Sequence, residues 1–295
     1  QSMSLMDMIW RRFQTAEQRK QSISTVTLEF NNINIDEQGF VYATTASISE
    51  EDLTSAINSK SSDSKYSPTK KLNPSGKDVM KRTGFYPPVG EINFTTTATP
   101  NFTITGPSTI VDVALGPEGT WSIIDQKRQR IFTYDEDGNL LFAFGDKGSQ
   151  LGNLTTVQAI DYAGTNMLVL DKENDNITVF KRTSYGDELV QVLALQRNRK
   201  YDKAAEHWEN ILQRNSNFDM SYIGIGQSLT SQGKYREAMD SFKYAYDTEH
   251  YSEAYQHVRK AWVEKYALIV PVIVIAFFWL IGKIFGYAKK VNVAG

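Results

Sequence analysis

Apolar and polar positions change rhythm along this chain. From about Thr25 to Tyr185 they alternate in short runs, the period-two pattern of half-buried strands. From Glu188 the period lengthens to that of helices. From Ala267 to Ile281 alternation stops in the uncharged run ALIVPVIVIAFFWLI. The 22 residues Tyr266 to Tyr287 hold one charge, Lys283. A bilayer core about 30 Å thick takes roughly 20 residues of helix, so the pattern predicts a single transmembrane helix over 265–287, with Phe277 and Phe278 inside it. Pro271 falls in its first turns, where a missing N–H matters least. Tyr266, Trp279 and Tyr287 stand near its ends, as interfacial aromatics do. Ahead of the strands, residues 1–24 read as a helical lead-in. Trp10 and Phe13 share a face there, and Thr15 with Gln18 makes a capping-box pattern.

Three segments of the alternating region resemble one another. They run from Ile33 through Gly39 to Tyr42, from Val111 through Gly119 to Asp125, and from Ile160 through Gly164 to Asp171. Each is an apolar strand, a glycine-containing turn and a second strand. A third strand follows in the last two, Arg130–Tyr134 and Asn176–Phe180, and Asp125 and Asp171 stand 46 residues apart. Asp135 to Asn139 turns tightly into a fourth strand, Leu140–Phe144, and Asn73 to Gly76 makes the equivalent turn in the first unit. Short antiparallel strands repeating every 40–50 residues or so are the signature of propeller blades. The residues resemble NHL-type β-propellers over about 25–186, with a Ser-, Thr-, Asp- and Lys-rich stretch at 47–71 that reads as a mobile insertion. About three blades are visible, whereas propellers close with four to eight. Earlier blades are therefore expected to be missing here, or to be supplied by another polypeptide.

In the helical region, Lys200-Tyr201 through Ala204 and Trp208 to Ile211 recurs as Lys234-Tyr235 through Ala238 and Phe242 to Ala245. The offset of 34 resembles the tetratricopeptide (TPR) repeat, implying two repeats over 187–250 and a capping or connecting helix over 251–264. The pattern departs from that family at Arg199, where Gly is usual, and at Ser216 and His250, where Pro often stands. Such helices can form a groove for a partner peptide, which makes Tyr222, Ile225 and Leu229 of the second repeat the candidate partner-binding residues.

Charge and composition narrow the function. The net charge of -2 hides an asymmetry: residues 251–295 carry six Lys/Arg against two acids, which leaves 26 basic and 32 acidic residues in 1–250. An acidic body without a basic run argues against nucleic acid. Cysteine is absent, which excludes disulfides, thiol catalysis and thiolate metal sites. The histidines are His207, His250 and His257. The last two, seven apart, would lie about 10 Å apart along a helix, too far to share one metal. Asp36, Asp112, Asp125, Asp161 and Asp171 recur at strand ends, where carboxylates fix turns more often than they catalyse. Arg128 and Arg130 read as blade packing or a surface pair. Sequons at Asn93, Asn101, Asn153 and Asn176 are what Thr- and Asn-rich strands produce by chance. No catalytic residue, cofactor site or metal site is expected.

The whole order is a multidomain β + α membrane protein: a partial NHL-type propeller, a TPR-like helical pair, one transmembrane helix and a basic tail at 288–295. It resembles a family, mostly Gram-positive, of membrane-anchored NHL-propeller/TPR proteins that often continue into a Yip-type membrane domain. The segments from Trp10 to Arg19 and from Lys71 to Val79 look like motifs of that family. The resemblance implies a fragment of a longer chain, and an accessory or scaffold subunit beside the permeases, and a sugar-binding protein, of a carbohydrate ABC importer. It also implies propeller and TPR outside the cell. Lys283, Lys289 and Lys290 favour a cytoplasmic tail. The alternative is a membrane-tethered propeller enzyme or a glycan-binding protein.

Overall fold

The computed structural model describes residues 30–46, 48–59, 61, 63–80, 90–91, 104, 106–267 and 269–293. The helical lead-in at 1–24, the sequons at Asn93 and Asn101, and the start of the first strand region at Thr25 lie outside them. The chain divides into two units, between Lys181 and Arg182.

Among the described residues the first unit holds three antiparallel meanders. They are β1 (Phe30–Ile35), β2 (Val41–Thr45) and β3 (Thr69–Leu72); β4 (Ile110–Leu115), β5 (Trp121–Asp125), β6 (Arg130–Tyr134) and β7 (Leu140–Phe144); and β8 (Val157–Ala163), β9 (Asn166–Asp171) and β10 (Asn176–Phe180). Strand β4 packs against β1 and β2 on one side and β8 on the other, so the first strands of successive sheets stack in a propeller-like order. Two cores result. Tyr42, Ile110, Val113, Trp121, Ile123 and Tyr134 fill the space between the first and second sheets. Ile124, Ile131, Leu154, Ile160, Met167 and Val169 fill the space between the second and third. Ile123 and Ile124 are sequence neighbours in different cores, because successive strand residues point to opposite faces. This is why β5 reads WSIID, buried throughout, rather than alternating.

The tight turns share one device. Asp36, Asn73 and Asp135 each accept two backbone N–H groups through Oδ1: from Gln38 and Phe40, from Ser75 and Lys77, and from Asp137 and Asn139. Each is followed three residues on by a glycine at positive φ, namely Gly39, Gly76 and Gly138.

The insertion differs from expectation. It carries helix α1 (Glu50–Asn58) as well as strand β3. The Ser49 side chain caps α1 by accepting the Asp52 N–H at 3.0 Å, and Leu53, Ala56 and Ile57 are buried. The apolar spacing i, i+3, i+4 sits inside a polar composition, and burial of that stripe orders the segment.

The second unit is a succession of helices: α2 (Ser184–Arg197), α3 (Tyr201–Arg214), α4 (Asp219–Ser231), α5 (Tyr235–Tyr244), α6 (Thr248–Tyr266) and α7 (Ile269–Val293). From α2 to α6 each helix packs on the next. Helices α3 and α5 begin 34 residues apart and bury matching positions, Ala204 and Trp208 in one, Ala238 and Phe242 in the other. Glycines on α4 admit both aromatics. A Cβ on Gly224 would meet Trp208 at 1.9 Å, and one on Gly226 would meet Phe242 at 2.5 Å.

The continuous helix expected to run into a 265–287 span is interrupted at Ala267. Pro271 lacks an N–H, and its ring collides with the carbonyl four residues back, which is that of Ala267. Among the described residues no single helix is long and apolar enough to cross a membrane. Helix α6 and the stretch Pro271–Ile284 reach that length and composition only as a pair, bent by 56°.

Candidate functional site

The carboxylates that recur along the strands are engaged by the fold. Asp125, fully buried, accepts the N–H groups of Thr109 (2.9 Å) and Lys127 (2.8 Å) and lies 3.5 Å from Arg128. Asp171 accepts from Thr155 N (2.7 Å), Thr155 Oγ1 (2.7 Å) and Thr156 N (3.1 Å). Each ties the loop before a sheet's first strand to the end of its second. Burial pushes Asp171 up, but hydrogen bonds from Thr155, Thr156 and Asn174 outweigh it and hold the carboxyl down at about 2. Asp135 moves the other way. Burial raises it, against opposing bonds from Asn139 and Asp137.

Asp112 has a different task. It lies on β4, 2% exposed, and is bonded to both neighbouring sheets. It accepts the Asn32 side-chain amide from β1, and the Ile160 N–H from β8 at 2.7 Å. Its own strand adds the Val113 N–H at 2.7 Å. Burial raises its affinity for protons and these bonds oppose that. Asp161, the matching acid of the third repeat segment, is exposed and accepts only the next residue's N–H, at 2.8 Å. The five acids therefore do not converge: four fix turns or local backbone, and Asp112 fastens three sheets together.

Arg128 and Arg130 both meet Glu91, at 3.5 and 2.9 Å, and Arg128 also donates to the Gly106 carbonyl. Nothing local in the sequence marks Glu91 or Asn32: no motif surrounds either, and the charged side chains they meet, Arg128 and Arg130 for Glu91 and Asp112 for Asn32, lie 37 to 80 residues away.

The histidines have different partners, and His250 and His257 line one cavity. His207 lies 3.5 Å from Glu188. His250 Nδ1 is 2.6 Å from Asp247, the N-cap of α6. His257 stacks on Tyr235 with ring centroids 4.3 Å apart. Among the described residues no group of three or more His, Cys, Asp or Glu side chains is placed to hold a metal. A cavity of about 300 Å³ opens in the helical unit, lined by Gln227, Thr230, Phe242, His250, Glu253 and His257.

Of the expected partner-binding residues, Tyr222 is half-buried. Its ring centroid lies 5.6 Å from that of Tyr244 and its hydroxyl donates to the Ser216 carbonyl. Ile225 is half-buried on the same helix, and Leu229 packs against the cluster of Ala238, Phe242 and Ala254. None of the three lines the cavity. In the expected span, Phe277, Phe278 and Trp279 are each more than half exposed, Val272, Ile273 and Ile275 likewise, and Lys283 lies over the Trp279 ring at 5.0 Å.

Apolar surface is also open at both ends of the sheet unit. On the first sheet Ile33 and Ile35 are 53% and 59% exposed. On the third, Leu170 pairs with Ile177, and Leu168 with Val179. These side chains share the face opposite Met167 and Val169, and Ile177 and Val179 are 60% and 51% exposed. The two inner faces of the same architecture are fully packed.

No protein-family model matches the chain, and no curated protein sequence matches it. Among solved structures it is similar to a catalytically inactive virginiamycin B lyase from Staphylococcus aureus, crystallised with quinupristin. Identity is 14% over 55% of this chain and 58% of that one, with a TM-score of 0.24. The chain thus spans under two thirds of that neighbour, and a likeness this low carries no argument about site or activity. The geometry itself defines a propeller-like β unit followed by a stacked helical unit.

Proposed function

We propose that this protein is a membrane-held, non-catalytic accessory or scaffold subunit. In this reading the β unit is a partial NHL-type propeller, the helices are TPR-like, and α7 lies in the bilayer. Both units work on the extracytoplasmic side, in contact with transporter subunits, namely the permeases and sugar-binding protein of a carbohydrate ABC importer. The observation that carries the reading is the open apolar surface at Ile33, Ile35, Leu170, Ile177 and Val179. Patches of this kind on a folded protein mark contact sites. The membrane part is supported by the uncharged stretch of α7 from Pro271 to Leu280, where Val272, Ile273, Ile275, Phe277, Phe278 and Trp279 are each more than half exposed, a pattern that suits an apolar environment. Absence of catalysis is supported by the acids, since Asp112, Asp125, Asp135 and Asp171 already accept the bonds that a substrate would need.

The test is purification from the native membrane in mild detergent, with mass spectrometry of what co-elutes. Stoichiometric permease subunits are the expected result. Recovery of this protein alone across several detergents overturns it and moves a membrane-tethered enzyme or glycan-binding protein to the front.

A further inference from the structure

Helix α6 leaves one face unpacked. It docks on α5 through Tyr251 and Ala254, and His257 stacks on Tyr235. A second stripe runs along the helix: Tyr255, Arg259 and Trp262 are exposed and Tyr266 is half-buried, at i, i+4, i+7 and i+11, with exposed Val263 beside them. Tyr255 is 47% exposed, Trp262 53% and Val263 50%. Trp262 and Tyr266 pair with ring centroids 5.2 Å apart, and the Lys265 ammonium sits 5.4 Å from the Tyr266 ring. Arg259, Lys260 and Lys265 stand against the single acid Glu264, on a chain whose first 250 residues are acidic overall.

We propose that the last three turns of α6 form an interfacial collar that lies in the headgroup layer of an anionic bilayer. The inference rests on the membrane-held reading of α7. Charge argues for this occupant, because cations gather at the one part of the acidic body that borders α7. Composition argues for it too, since Trp and Tyr beside Lys and Arg on one helix face suit a region that is apolar on one side and phosphate-rich on the other. Geometry agrees. Tyr255 to Tyr266 spans about 16 Å of helix. An inclined helix of that length is long enough to cross one headgroup layer. The bend at Ala267 then turns the apolar helix from the interface into the hydrocarbon.

The chain has no cysteine, so single labels are clean. The full chain is reconstituted in vesicles of phosphatidylcholine with and without phosphatidylglycerol. Nitroxide labels are placed at Trp262→Cys, Phe277→Cys and, as an exposed control on α3, Glu209→Cys. Accessibility to oxygen and to a nickel chelate gives depth. The expected result is position 277 in hydrocarbon, 209 in water and 262 between them, deeper when phosphatidylglycerol is present. Combining Arg259→Glu, Lys260→Glu and Lys265→Glu should abolish that lipid dependence. Position 277 in hydrocarbon with 262 as water-exposed as 209 overturns the collar and leaves the span. Position 277 in water overturns both. A depth at 262 indifferent to phosphatidylglycerol and to the charge reversals overturns the anionic-lipid assignment.

Discussion

Replacing Asp112 with alanine should loosen the sheet unit more than replacing any other acid of similar sequence context. The side chain is 2% exposed and accepts from β1, β4 and β8. Removal orphans the Ile160 N–H, a cost of about 1–3 kcal/mol for a buried donor, with a further contribution from the other lost bonds to a carboxylate. Some of this is returned, because burying the charge is itself unfavourable, as its raised proton affinity shows. A net loss of roughly 2–4 kcal/mol follows, which for a unit of this size lowers the unfolding midpoint by about 5–15 °C. Asp112→Asn keeps an acceptor and should lose less. Asp161→Ala, exposed and locally bonded, should stay within about 0.5 kcal/mol of wild type. The assay is thermal unfolding of the full chain in detergent, followed by near-ultraviolet circular dichroism in a Trp208→Phe background, where Trp121 is the fully buried tryptophan among the described residues. Equal shifts for Asp112→Ala and Asp161→Ala would refute the idea that Asp112 fastens the sheets.

Four further outcomes are expected. Asp171 has its carboxyl held down at about 2 from 3.8, so its contribution is fully present above pH 4 and is lost as pH falls towards 2; this is roughly 2 kcal/mol, and Asp171→Asn should flatten that acid limb in denaturant titrations. Gly226→Ala should destabilise the helical unit by about 1–3 kcal/mol, since Phe242 is enclosed and cannot yield; Arg199→Gly should stabilise it by about 1 kcal/mol because Arg199 holds φ at 56°, with calorimetry as the readout for both. Val179→Lys alters an exposed residue, so it should leave the unfolding midpoint unchanged while reducing recovery of co-eluting subunits.

The helical unit was the more legible part, because its signals are local. Ala204, Trp208, Ala238 and Phe242 recur at a fixed offset and are all buried. Even the departure at Arg199 keeps its geometry: Arg199 and Gly233, 34 apart, both take positive φ. Each helix end closes the same two bonds, Arg199 N to the Gln196 carbonyl with Lys200 N to Leu195, and Gly233 N to the Thr230 carbonyl with Lys234 N to Leu229, the Schellman pattern. The strand–turn units could be read for the same reason, from Asx residues and glycines a few positions apart. What escaped was non-local or masked by composition. Helix α1 hid three apolar residues among serines and acids. The Asp112 clamp joins β1 to β8 across more than a hundred residues, and nothing in the sequence separates it from Asp161. The break at Ala267 follows from Pro271, whose effect falls four residues upstream of itself.

The proposed role is that of a membrane-held subunit that works through its contacts. Mild-detergent purification from native membranes tests it. Permease subunits at fixed stoichiometry are expected, lost when Ile177 and Val179 are both replaced by lysine. A protein that elutes alone in every detergent, or one whose partners are indifferent to those two replacements, would contradict it.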